Sequence, residues 1–126
     1  MITKAIIRKR IEKPPKNLII HVKRFEYPSL KKDRVLISYE HVVDVGKFVS
    51  TQDGESTSSL KYVLYGMIIH KGKEMDRGHY ISLFKRDERW YEFDDDKVYE
   101  IQGRSNTSYV LDKEIYMLFY RREDQA

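Results

Sequence analysis

Apolar and polar residues alternate with a period of two along most of this chain. The run LIIHVKRFEY (18–27) is rich in β-branched and aromatic residues and lies between Pro14-Pro15 and Pro28-Ser29, which predicts a long, largely buried strand. Residues 2–12 read as a strand before it, and the diproline separates the two because proline donates no ladder hydrogen bond. Residues 34–38 and 41–45 are short strand candidates, and 50–59 (STQDGESTSS) contains no apolar residue, so a solvated loop is expected there. From residue 60 the pattern sharpens: LKYVLYGMIIHK (60–71) predicts a strand, KGKEMDRG (71–78) a polar loop, and GHYISLFKR (78–86) a second strand. A tight turn at Asp87-Glu88 leads into RWYEFD (89–94), followed by strands over 97–101 and 115–122. A short helix is expected only over 105–113. The fold class is therefore α+β, built mostly of antiparallel twisted β-sheet in a single domain over 1–126.

Composition narrows what such a sheet is for. With 40% hydrophobic and 13% aromatic residues among 126, the chain can build a core, which excludes a disordered or low-complexity protein. No apolar stretch approaches the ~20 residues that span a bilayer. The start MITKAIIRKRIEK lacks the apolar segment of a signal peptide, so a cytoplasmic or nuclear location is expected. There are no cysteines, which excludes a disulfide scaffold, a thiolate zinc site and a cysteine nucleophile from this chain. The net charge of +4 is uneven: residues 1–35 hold 11 Lys/Arg against 3 Asp/Glu, and the remainder 13 against 17. The basic residues interleave with apolar ones, as on half-buried strands, and do not form the block expected for nucleic-acid binding.

Four histidines offer chemistry: His21, His41, His70 and His79. A histidine inside a strand is most often structural. His79 stands out because it follows Gly78, where backbone can approach a ligand closely, and because a carboxylate cluster, Asp94-Asp95-Asp96, lies across the next turn. In a hairpin about Asp87-Glu88 opposed residue numbers sum to 175, so His79 faces Asp96 and Asp94 becomes its diagonal neighbour on the same face. A carboxylate accepting the imidazole N–H fixes the tautomer and stabilises the imidazolium, the base-and-orienter pair of nucleophilic hydrolases. A one-residue bulge would exchange Asp95 for Asp94, and the uninterrupted register favours Asp94. The competing reading is that three adjacent carboxylates simply end a strand in water. His79 and the carboxylates lack the three or four convergent ligands of a zinc or di-metal centre, so no metal and no cofactor are expected.

The ordered set LIIHVKRFEY, YVLYGMIIHKG (62–72), RGHYISL (77–83), WYEFDDDKV (90–98) and IYMLFYRR (115–122) closely resembles the carboxy-terminal half of the catalytic domain of ubiquitin-specific proteases, the C19 papain-like cysteine peptidases. The resemblance runs over nearly the whole chain, more weakly across 33–59. It implies the β-rich palm and fingers of that fold, and a thiol-dependent hydrolysis of the bond after the last glycine of ubiquitin. It makes His79 the base, Asp94 its orienter and Asp95 an adjacent acid that shares the role in some members. Gly78, Tyr80, Asp76 and Trp90 are assigned to the channel for the ubiquitin tail, gated by loops at 71–77 and 50–59. The implied partners are ubiquitin or ubiquitinated proteins and a cysteine-bearing half of the domain. The family's cysteine, oxyanion-hole residue and zinc ribbon lie upstream of LIIHVKRF and are not in this sequence. The expectation is thus a fragment of an active enzyme, with a split enzyme or a ubiquitin-binding pseudo-protease as alternatives.

Overall fold

The computed structural model describes residues 4–33, 37–50, 58–75, 77–101 and 114–123. Seven strands form one antiparallel sheet: β1 (Asn17–His21), β2 (Val42–Asp44), β3 (Lys61–Glu74), β4 (Arg77–Arg86), β5 (Arg89–Asp94), β6 (Lys97–Ile101) and β7 (Ile115–Arg122). Their order is β1-β7-β3-β4-β5-β6, with β2 added alongside the start of β3. The one helical element among the described residues is a 3-10 turn, Gly46–Phe48. The mostly antiparallel sheet expected from the sequence is present.

Alternation places the core on one face. Leu64, Met67 and Ile69 of β3, Ile81 and Leu83 of β4, Trp90 of β5, and Leu118 and Tyr120 of β7 are all buried there. Burying side chains of this size stabilises by about 1.5–3 kcal/mol each. The alternation on β3 slips between Leu64 and Met67, at the step from Leu64, the last residue paired with β7 on one edge, to Gly66, the first paired with β4 on the other. Tyr65 there reaches the rings of Phe84 and Phe119 on the opposite face, and a Cβ on Gly66 would lie 2.3 Å from the Phe84 ring. Two buried phenols tie the sheet to loops: Tyr62 donates to the Pro15 carbonyl at 2.5 Å and Tyr120 to the Glu40 carbonyl at 2.7 Å. Burial, then Tyr39 and Glu40, pushes the Tyr120 phenol up to about 12.

Several expectations need correction. The strand over 18–27 stops at His21, and β1 is mostly exposed because it is the sheet's edge, paired only with β7. Beyond it Val22 N–H still donates to Tyr116, then the chain turns back on itself, with Glu26 N–H donating to Lys31 and Leu30 N–H to Glu26. This excursion bridges to the β3–β4 hairpin through Lys31 opposite Glu74 and Met75 N–H to the Leu30 carbonyl. Among the described residues of 2–12 the sole pairing is a bridge from Ile11 to Val49, and Ile6 and Ile7 are exposed. The polar loop expected over 71–78 is largely strand: β3 runs on to Glu74 and β4 begins at Arg77, with a bulge between Lys71 and Glu74. The helix expected over 105–113 and most of the loop over 50–59 lie outside the described residues.

Candidate active site

β4 and β5 are joined by Asp87-Glu88, both with positive φ (51° and 65°), as a two-residue type I′ turn requires. The five pairs from Arg86 opposite Arg89 to Ser82 opposite Phe93 follow the register without a bulge. That register carries His79 and Asp94 to the same face and end of the hairpin. His79 Nε2 lies 2.5 Å from Asp94 Oδ1, in side chains 44% and 35% exposed. The two atoms are within hydrogen-bonding reach, and a carboxylate acceptor makes the bond charge-assisted. With Nε2 committed to the carboxylate, Nδ1 is the nitrogen left to meet a reacting group.

Asp96 does not sit opposite His79. β5 ends at Asp94, which pairs with Lys97, and Asp95-Asp96 form a second tight turn with Asp95 at φ 53°. Asp95 nevertheless keeps an oxygen close, since His79, Asp94 and Asp95 each offer an atom within 4.8 Å of the others. Three such donors resemble a cation site in number, but the direct His79–Asp94 contact already commits one atom of each to the other.

The other residues that the resemblance assigns to a channel separate. Gly78 has φ 132°, a conformation side chains rarely adopt, and a Cβ there would lie 2.3 Å from the Lys71 carbonyl. Tyr80 is half exposed, and burial of its ring followed by the neighbouring Tyr116 raises its phenol above the usual range. Asp76 lies outside the described residues. Trp90 is a correction: it is 1% exposed, paired with Lys85 in the core and set edge-on to His41 at 6.3 Å. Trp90 is four positions along β5 from Asp94, about 13 Å at the strand rise, and supports the hairpin from inside.

The structure also gathers residues that spacing did not single out. Phe25, His70, Tyr80 and Tyr116 close an aromatic ring of contacts beside Gly78: Phe25–His70 5.1 Å, His70–Tyr80 4.7 Å, Tyr80–Tyr116 5.7 Å and Phe25–Tyr116 5.7 Å. Phe25 reaches this wall because the chain leaves the sheet after His21. Beneath it Lys32 donates to the His70 carbonyl and lies 4.0 Å from Glu114, and Arg24 is buried nearby. The available signal was position: each of the four rings falls inside one of the runs RFEY, IIHKG, GHY and IYM that carry the family resemblance.

Known proteins resemble this chain in sequence and in fold. The sequence profile described as ubiquitin carboxyl-terminal hydrolase matches residues 5–120. Ubiquitin carboxyl-terminal hydrolase 23 of Arabidopsis thaliana is 33% identical over 116 residues, covering 91% of this chain and 13% of its own length. Ubiquitin carboxyl-terminal hydrolase 12 of Salmo salar is 32% identical over 126 residues, covering 93% of this chain and 34% of its own. A chain in the structure of the SAGA Ubp8/Sgf11/Sus1/Sgf73 DUB module bound to ubiquitin aldehyde superposes with a TM-score of 0.75 at 28% identity, covering 90% of this chain and 26% of that one. This chain thus spans between 13% and 34% of the length of these relatives. The family match over residues 5–120, together with relatives more than 30% identical over nine-tenths of the chain, establishes that the chain belongs to the ubiquitin carboxyl-terminal hydrolase family.

Proposed function

We propose that the chain is the carboxy-terminal part of a thiol-dependent deubiquitinase and supplies its base, its orienting carboxylate and one wall of the channel for the ubiquitin tail. The contact of His79 Nε2 with Asp94 Oδ1 at 2.5 Å carries this reading. With no cysteine among 126 residues, the nucleophile comes from polypeptide outside them. His79 Nδ1 takes the thiol proton as sulfur attacks the carbonyl carbon of the terminal glycine of ubiquitin. The imidazolium, stabilised by Asp94, returns that proton to the leaving lysine amine as the C–N bond breaks. His79 then removes a proton from water, which attacks the thioester, and the thiol leaves with the proton restored. Asp95, with an oxygen within 4.8 Å of the pair, adds negative charge beside the imidazolium without bonding it. Gly78, lacking a side chain, and the rings of Tyr80, Phe25 and Tyr116 suit a narrow channel that admits glycine and excludes bulk. In the complete enzyme His79→Ala should abolish cleavage of ubiquitin–rhodamine while the folded structure persists, and undiminished turnover would refute the assignment.

The absence of cysteine also favours a second reading, a module that binds ubiquitin without cleaving it. Labelled ubiquitin titrated with the isolated chain separates the two, because only a binding module needs to engage ubiquitin unaided.

A further inference from the structure

His70 lies one position from the residue opposite His79, and its environment is unusual for a histidine. It is 1% exposed, and both ring nitrogens are buried with no hydrogen-bond partner; the Arg77 carbonyl favours the protonated ring but stands outside hydrogen-bonding geometry. Leaving such groups unpaired costs about 1–3 kcal/mol, so an apolar ring would be cheaper for packing alone. Its Cε1–Nε2 edge sits beneath the bulge in the β3–β4 hairpin, where Gly72 (φ 143°) and Gly78 (φ 132°) pass close together. A Cβ on Gly78 would lie 2.8 Å from His70 Nε2 and one on Gly72 3.4 Å from His70 Cε1. The ring occupies the space that side chains on both glycines would need. Phe25 and Tyr80 clamp its faces and edges, and Lys32 bonds its carbonyl, so the ring cannot retreat. What it touches, Gly78, is the residue that carries His79.

We propose that His70 is a positioning residue for His79: its five-membered ring sets the path of the backbone at Gly78 and thereby the aim of His79 at Asp94. The inference rests on the assignment of His79 and Asp94 as base and orienter, but it is a statement about geometry and is read without turnover. A phenyl ring is one atom larger than imidazole and would press on the glycine pair, whereas a methyl group would let the backbone settle inward.

The test uses the 126-residue chain labelled with nitrogen-15, following the ring resonances of His79, with Asp94→Asn as the reference for an uncoupled ring. His70→Phe should shift the His79 resonances toward that reference while the circular dichroism stays that of the wild type. Met67→Ala, which damages the core on the other face of the same strand, should leave them in place. Should His70→Phe fail to fold, His70→Ala should show the same displacement and its reversal by added imidazole. Folded His70 variants with wild-type His79 resonances would overturn the positioning role. An Asp94→Asn variant that itself leaves His79 unmoved would instead strike the base-and-orienter assignment.

Discussion

The β4–β5 hairpin and the amino-terminal arm are held in contrasting ways. The hairpin closes through a two-residue turn, pairs residue by residue, and is flanked by β3 on one side and β6 on the other, with Leu83 and Trp90 buried beneath it. The arm, residues 4–12, is tied near its end, by the Ile11 N–H to Phe48, the Ile11 carbonyl to the Ser50 N–H and the Arg10 guanidinium to the Lys47 carbonyl, and Ile7 is 86% exposed. β-branched residues are common to both, so propensity is not what separates them. A strand is stabilised by neighbours on its edges and by a face to bury, and only the hairpin has both. A catalytic pair needs that support, because a hydrogen bond between two partly exposed side chains survives only if the backbones beneath it are fixed.

The sharpest way to test the hairpin is at its end. In the complete enzyme Asp94→Asn should reduce kcat by about 10⁴-fold, the order lost when the orienting carboxylate of a triad is neutralised. Asp95→Asn should cause a clearly smaller fall, because Asp95 lies in the turn and does not bond the ring. Equal losses, measured on ubiquitin–rhodamine, would mean that the two carboxylates exchange places and that the register does not choose between them.

Next in size is the contrast in stability. Trp90→Ala should cost about 3–5 kcal/mol, since it empties a fully buried site between β4, β6 and His41. Ile7→Ala should change stability by no more than about 0.5 kcal/mol. Urea unfolding followed by circular dichroism reads both; fluorescence does not serve, because Trp90 is the only tryptophan. A cost above about 2 kcal/mol for Ile7→Ala would show that the arm is packed in solution and would erase the contrast.

These differences also explain what the sequence made legible. The pairing of β4 with β5 follows from a turn only two residues long, so local chemistry decided it, and with it the His79–Asp94 contact. The arm's pairing depends on Val49, far along the chain, and no local pattern reports such a partner. The excursion after His21 was hidden for the same reason: 22–27 alternates like a strand, yet Phe25 packs on His70 and Lys31 pairs with Glu74, contacts that only the folded hairpin creates. Trp90 misled in the opposite sense. An aromatic residue beside a functional run reads equally well as channel wall or as core, and the two are told apart by burial alone.

The smallest predicted effect concerns protons, and again it belongs to the sheet and not to the arm. His41 and His70 both have their pKa lowered from 6.5, in each case mainly by burial and then by a lysine, Lys85 for His41 and Lys32 for His70. In the unfolded chain both titrate at the ordinary value. Between the folded value and about 6.5 the unfolded chain therefore binds more protons, and stability falls as the pH drops below about 6.5. Above it both states hold neutral rings and this contribution is constant. Asp44 titrates elsewhere: hydrogen bonds from Leu60, Gly46 and Ser59 hold it at about 2, so its contribution is complete above about 4 and is lost only toward 2. The urea midpoint should accordingly be lower at pH 5.5 than at pH 7.5. In His41→Phe or His70→Phe the drop should be smaller, because one proton-binding difference has been removed. An unchanged pH dependence in both variants would show that neither ring is kept neutral by the fold, and that the buried end of the sheet is open to water after all.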